Sequence, residues 1–227
     1  MIQAVIFDLD DTLYPEMAFV YSGYRAVSER VFEQLGFEID GELIRLFETG
    51  QRGDLFTPVL KTHLGTVEEE YVRELVAVYR QHRPTITPFP DAPEVLKTLS
   101  ASYRLAILSD GYLSVQKRKL EALQIDSYFD PVIFSDEWGR DFWKPHSRPY
   151  EECLRRLSLE PATVVYVGDN PNKDFVTARR MMMKTIRVRR PGTLHYDVRL
   201  TPEYEADYET GGLEGIPALL DSIAPGD

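Results

Sequence analysis

Cysteine is almost missing from this chain: Cys153 is the only one among 227 residues. A single thiol makes no intrachain disulfide and no Cys-x-x-Cys metal clip, so a reducing compartment is the simplest fit, and Cys153 itself reads as a small apolar core residue. Long apolar runs are missing as well. None approaches the ~18 residues that span a bilayer, and the N-terminus lacks the basic and apolar regions of a signal peptide. The expectation is a cytoplasmic protein with no membrane partner. Positive charge is in deficit, with 26 Lys and Arg against 37 Asp and Glu and a net charge of −11. That balance excludes a general nucleic-acid binder, which needs a cationic field to displace counterions. A small phosphorylated ligand stays open, because one metal ion and one lysine can dominate a pocket whatever the net charge. The four histidines, His63, His82, His146 and His195, form no HxxH or HExxH pair, which speaks against zinc. The phosphate loops GxxxxGK[ST] and GxGxxG are absent, as is the GxSxG of ester hydrolases.

What is present is a series of short β-branched or aliphatic runs: Ala4 to Phe7, Leu105 to Leu108, Val132 to Phe134, Val164 to Val167 and Thr185 to Val188. They lack the polar alternation of half-exposed strands, as expected of strands buried on both faces of a parallel sheet. Between them, Val95 and Leu99, then Leu113, Leu120 and Leu123, then Tyr150, Cys153, Leu154 and Leu157 recur at helical spacing, as do Leu213, Ile216, Leu220 and Ile223. Alternating strands and helices predict an α/β fold, a doubly wound parallel sheet. From Met17 to Gln81 the alternation stops. That stretch offers helical stripes (Val20, Tyr24, Val27, Val31 and Leu35; Val67, Tyr71, Leu75 and Val78) and no convincing strand. It predicts an all-helical insertion, with residues 1–15 and 84–227 forming the core and 16–83 the insertion. Tyr14-Pro15 and the proline-rich Arg83 to Pro90 mark its edges, where neither helix nor central strand continues easily.

Four of the five runs end in an acid, or in a hydroxyl followed by an acid: Asp8, Ser109-Asp110, Ser135-Asp136 and Asp169. In a parallel sheet these positions share the carboxyl edge, where open α/β folds bind ligands. Carboxylates ~4 Å apart repel by ~1 kcal/mol in water and by ~4 kcal/mol at an effective dielectric of ~20. A positive group is therefore expected among them, and an all-oxygen set suits Mg²⁺.

These residues carry a resemblance. FDLDDT (Phe7 to Thr12) resembles the DxDxT motif of the haloacid dehalogenase-like hydrolases, ILSDG (Ile107 to Gly111) their second motif, Lys144-Pro145 their third, and VGDNPNKD (Val167 to Asp174) their GDxxxxD motif, in matching order. The resemblance implies a Rossmann-like core with a helical cap inserted after the first motif, Mg²⁺ as cofactor, and hydrolysis of phosphomonoesters through an aspartyl-phosphate. It implies Asp8 as nucleophile, Asp10 as general acid and base and as a metal ligand through its carbonyl, and Ser109 and Lys144 as phosphoryl partners. Asp8, Asp169 and Asp174 then serve the metal, and Leu9 and Gly111 offer backbone amides to the phosphate. Thr12 and Asn170 fall just behind the site, and Asp11 points away.

One departure concerns the lysine. Gly139-Arg140-Asp141-Phe142-Trp143-Lys144 is two residues longer than the family's usual Gly-x-x-Lys-Pro and carries two aromatics, so Trp138, Phe142 and Trp143 read either as a wall over the substrate or as packing. Substrate choice is expected in the cap, where the turn Glu48 to Asp54 places Arg52 as a candidate for a second anionic or hydroxylated group. The residues from Arg187 to Asp207 read as a partner surface, a phosphate-proximal loop or, most simply, a solvated connection, and no sequence feature chooses among these. The expected activity is release of phosphate from a small metabolite, a sugar phosphate or a nucleotide. A phosphomutase of the same fold and a non-catalytic binding module are the alternatives. A dehalogenase shares the nucleophile but has no need for Asp10 or the metal carboxylates.

Overall fold

The structure, a computed structural model, describes residues 1–223. Among them the chain divides into two compact units, residues 1–16 with 87–223, and Met17–Ile86.

The first unit is built on a six-stranded parallel sheet in the order β3-β2-β1-β4-β5-β6, from β1 (Ala4–Phe7), β2 (Arg104–Ser109), β3 (Val132–Phe134), β4 (Val164–Gly168), β5 (Lys184–Val188) and β6 (Tyr208–Thr210). Around it lie α5 (Ala92–Ser100), α6 (Leu113–Leu123), α7 (Arg148–Leu157), α8 (Phe175–Arg180) and α9 (Ile216–Ser222). The uninterrupted apolar runs follow from cover on both faces. Ala4, Ile6, Ala106, Leu108, Ile133, Val164 and Tyr166 pack with Tyr150, Cys153, Leu154 and Leu157 of α7 and with Phe175 and Ala178 of α8. The alternate residues Val5, Phe7, Leu105, Ile107, Val165 and Val167, which strand geometry turns to the other face, are equally buried. Cys153 lies inside this core, and burial pushes its thiol up to about 12.

The edge strand β6 begins immediately after the stretch from Arg187 to Asp207 that reads as connection in the sequence, and no strand is expected there. Its three residues, Tyr-Glu-Thr, are partly exposed and pair with Ile186 to Val188 at the sheet margin, so no apolar run announces it. In the centre, β1 lies between β2 and β4 in a register that matches Phe7 with Ile107 and with Val167. That register brings the ends of the three strands, and with them Asp8, Ser109 and Asp169, to one edge of the sheet.

The second unit is all helical: most of α1 (Glu16–Leu35), with α2 (Asp40–Glu48), α3 (Phe56–Leu64) and α4 (Glu69–Gln81). An aromatic cluster of Phe19, Tyr24, Phe47, Phe56 and Tyr79 meets largely edge to face. Gly23 leaves room for the Tyr79 ring, which a Cβ at that position would approach within 2.4 Å. Ser28 Oγ accepts the amides of Ile39 and Asp40 at 2.8 and 3.1 Å, which fixes the turn into α2. No helix among the described residues is long and apolar enough to cross a membrane.

Candidate active site

Asp8 is the first residue beyond β1. Its amide donates to the Val167 carbonyl at 2.8 Å, which extends the β1–β4 pairing and fixes where the side chain emerges. The carboxylate is 1% exposed, yet neither of its oxygens accepts a well-formed hydrogen bond. Its nearest cation is Lys144, whose Nζ lies 2.9 Å from Oδ1. Asp169, next after β4, has an orphaned buried Oδ2. Burial, then the charges of Asp174 and Asp8, hold its carboxyl well above the usual range. One oxygen each from Asp8, Asp169 and Asp174 lies within 4.8 Å of the others. Unpartnered buried oxygens in an oxygen-only set are what a hard divalent cation satisfies.

Asp174 is the best-bonded of the three. Oδ1 accepts from Lys144 Nζ at 2.8 Å and from the Tyr166 hydroxyl at 3.2 Å, and Oδ2 accepts the Asn170 amide at 2.9 Å. Lys144 in turn donates to Tyr166 Oη at 2.7 Å. Burial alone would pull this ammonium down, but Asp174, Asp8 and Asp110 hold it well above the usual lysine range. It is a fixed cation.

The extra length before Lys144 has a structural use. The Lys144 amide donates to Asp110 Oδ1 at 3.0 Å, an oxygen that also accepts from Ser135 Oγ at 2.6 Å. One residue earlier, Trp143 Nε1 donates to Asp136 Oδ1 at 3.1 Å, while Asp136 Oδ2 accepts the Leu113 amide at the start of α6 at 2.9 Å. The two acids that end β2 and follow β3 therefore hold the lysine's backbone in place. Trp138 and Phe142 flank the Arg148 guanidinium, 5.2 and 4.9 Å from their ring centres, which is packing.

Asp10 follows in the loop after β1. Its Oδ1 accepts from Lys119 Nζ at 2.6 Å and from the Tyr14 hydroxyl, and its Oδ2 from Gln116 Nε2 at 2.9 Å. Burial raises this carboxyl, but Lys119 and the hydrogen bonds outweigh it, and the net shift is downward. Leu9 is fully buried, and its carbonyl accepts the Leu13 amide at 3.0 Å. Asp11 is buried, adopts φ +52°, and accepts the amides of Glu16 and Leu194, each at 2.8 Å. Thr12 is buried with its hydroxyl unpartnered. Asn170 Nδ2 meets His195 Nε2 at 3.0 Å. Arg52 lies in the helical unit, donating to the carbonyls of Phe47 and Gln51 at 2.6 and 2.7 Å with its guanidinium 3.8 Å from the centre of the Phe47 ring.

Two further cations at this edge have no catalytic role in the sequence reading. Lys173 Nζ lies 3.7 Å from Asp8 Oδ2 and 3.6 Å from Asp110 Oδ2. Its one sequence signal is its place beside Asp174 in the fourth motif. Arg187 is buried behind Asp169, donating to the Asp169 carbonyl at 3.0 Å and the His195 carbonyl at 2.7 Å, and it pairs with Glu205 at 3.0 Å. It ties the connection after β5 to the site.

The haloacid dehalogenase-like hydrolase family profile matches residues 5–188, a span that includes every carboxylate and lysine of this edge. The chain belongs to the haloacid dehalogenase-like hydrolases. Among curated relatives of this hydrolase, a glyceraldehyde 3-phosphate phosphatase of Methanothermobacter thermautotrophicus is 35% identical over 199 residues, covering 83% of this chain and 86% of the relative. A ribulose-1,5-bisphosphate 5-phosphatase of Halopiger xanaduensis is 29% identical over 204 residues, covering 82% and 84%. Among solved structures, a Bacillus subtilis hydrolase of the same type bound to magnesium superposes with a TM-score of 0.68 at 18% identity, covering 97% of this chain and 99% of the other. At that identity the likeness concerns the fold. The Rossmann-like parallel sheet of this hydrolase is the fold of the family.

Proposed function

We propose that this hydrolase is a cytoplasmic, Mg²⁺-dependent phosphatase of small phosphorylated metabolites, of the sugar phosphate class, with Asp8 as its nucleophile. The observation that carries the reading is the buried Asp8 carboxylate, free of well-formed hydrogen bonds and set against the fixed Lys144 cation. A nucleophile held by strong hydrogen bonds would have to give them up to attack. The relatives named above are phosphatases of a triose phosphate and of a pentose bisphosphate, which supports the substrate class.

Asp8, Asp169 and Asp174, with the Asp10 carbonyl, are the groups that would hold Mg²⁺, which when bound offsets the negative charge of the acids and of the phosphate. The chain's own residues do the rest. Asp8 Oδ attacks phosphorus, an oxygen–phosphorus bond forms, and the ester oxygen leaves with its electron pair. Asp10, a carboxylate in the free site, takes up a proton when the phosphate brings its own negative charge beside it, delivers that proton to the ester oxygen and later takes one from the water that hydrolyses the aspartyl-phosphate. Lys144 and Ser109, with the amides of Leu9 and Gly111, hold the phosphoryl oxygens. Displacement of halide from carbon needs neither a proton donor at Asp10 nor the acids around Asp169, and their presence sets the dehalogenase reading aside.

The test is release of inorganic phosphate from a panel of sugar phosphates, nucleoside monophosphates and phospho-acids, with Mg²⁺ and with chelator, for wild type and Asp8→Asn. Metal-dependent release that the substitution abolishes is the expected result. Release that survives in Asp8→Asn would contradict the assignment.

A further inference from the structure

Helix α6 carries two polar side chains, Gln116 and Lys119, at 1% and 4% exposure. Lysine and glutamine are rarely buried without partners, and three residues apart they share a helix face. Both reach the candidate catalytic residues. Asp10, as a carboxylate, only accepts hydrogen bonds, so the Gln116 amide must turn its NH₂ towards it. One Nε2 proton then goes to Asp10 Oδ2 at 2.9 Å and the other to Ser109 Oγ at 2.7 Å. Ser109 Oγ is thus an acceptor towards Gln116, which leaves its own hydroxyl proton for another oxygen. Lys119 Nζ, 2.6 Å from Asp10 Oδ1, and the Tyr14 hydroxyl hold the second carboxylate oxygen.

The backbone after β2 is shaped around this amide. Gly111 has φ +126°, and a Cβ there would come within 2.9 Å of Gln116 Cδ and Oε1. Other residues rarely adopt that φ, and the close approach adds a second reason for glycine.

We propose that Gln116 and Lys119 are positioning residues of the reaction: α6 fixes the Asp10 carboxyl and the Ser109 hydroxyl relative to one another, so that a phosphoryl group held by Ser109 presents its leaving oxygen to Asp10. The proposal rests on the phosphatase reading. Neither residue touches the reacting atoms. Both act through Asp10, and Gln116 acts through Ser109 as well. Small displacements of such groups are costly, with ~10²-fold lost for ~1 Å of misplacement.

The test uses kcat/KM for two esters, a primary alkyl phosphate and p-nitrophenyl phosphate. This constant covers the steps up to departure of the alcohol, and only the alkyl oxygen needs a proton there. Lys119→Met is expected to lower the alkyl-to-aryl ratio of kcat/KM by ~10- to 100-fold, within the range of a general acid's contribution, with partial recovery in Lys119→Arg. Gln116→Leu should lower the same ratio and also raise KM for both esters, because it frees Ser109. In an Asp10→Asn background, Lys119→Met should change the ratio less than about twofold, since the group it positions is gone. That background also removes the buried charge together with its partner, so the comparison survives any folding defect of the single variant. A wild type active on both esters whose ratio stays unchanged in Lys119→Met, with the two activities falling together, would overturn the positioning role alone. The full loss persisting in the Asp10→Asn background would do the same. A wild type inert towards both esters would overturn the phosphatase reading and this proposal with it.

Discussion

Lys144 Nζ stands 2.8 Å from Asp174 Oδ1, with both side chains wholly shielded from solvent. The same nitrogen is 2.9 Å from Asp8, so Asp174 sets the height at which the cation meets the nucleophile. Removing one member of a buried pair leaves the other uncompensated, at a cost of about 3–5 kcal/mol. Lys144→Met is therefore expected to lower kcat by roughly 10²- to 10³-fold, as loss of an electrostatic donor does. It should also lower the melting temperature more in chelator than in Mg²⁺, because three acids then face one another unshielded. Steady-state kinetics and thermal melts with and without metal check both parts.

Gly168 ends β4 immediately before Asp169. Its backbone is unstrained, but a Cβ there would lie 2.6 Å from Asp174 Oδ2 and 2.8 Å from Asp174 Cγ. Asp174 has no room to yield, being held by Lys144, Tyr166 and Asn170. Gly168→Ala is expected to destabilise the fold by about 1–3 kcal/mol, the usual cost of overpacking, and to depress kcat through Lys144. Chemical denaturation and kinetics measure the two effects.

Asp10 and Asp174 were legible only through their places in the family's motifs, but Asp8 and Asp169 were legible because strand ends announce them: an apolar run terminates, and the residue that follows lies at the sheet edge. The sheet's strands β1 to β5 were legible for the same reason. Lys173, Gln116 and Lys119 were not. Each lies on a turn or helix where a charged or polar residue is ordinarily solvated, and only the tertiary fold turns it inward. Asp11, expected to point away from the reacting groups, spends its carboxylate on two backbone amides, those of Glu16 and Leu194, a role the sequence does not announce. The aromatics before Lys144 are anchored by the Trp143–Asp136 hydrogen bond and the Arg148 contacts, neither of which shows in the sequence because both partners are distant or ordinarily solvated residues.

That role for Asp11 has a measurable consequence. Asp11→Ala removes both acceptors and puts a Cβ-bearing residue without side-chain compensation at φ +52°. A loss of about 1–3 kcal/mol is expected from two unsatisfied amides. Hydrogen exchange should accelerate at the Leu194 amide beyond the change at β-sheet amides. Equal acceleration throughout would show that the bond to Leu194 carries nothing specific.

Glu16 supplies a pH signature. Burial, then the Asp10 charge, raise its carboxyl to about 7, against 4.5 for the free side chain. Between those values the folded state keeps a proton that the unfolded state releases, so this group's contribution to stability falls as pH rises through the window and is fully lost above it. Metal-free Glu16→Gln is expected to match wild type near pH 4 and to exceed it by about 3–4 kcal/mol well above pH 7, at ~1.4 kcal/mol per unit of pKa difference. Denaturation at pH 4 and pH 8 in chelator reads the difference.

The identity of the nucleophile is the central claim, and a trapped intermediate tests it most directly. Protein mixed with a turned-over phosphate ester is quenched in acid, reduced with borohydride, digested and analysed by peptide mass spectrometry, since borohydride converts an acyl phosphate to the alcohol. Homoserine at position 8, absent from protein never given substrate, is the predicted result. Phosphate released at full rate with position 8 left as aspartate in every quenched time point would contradict it.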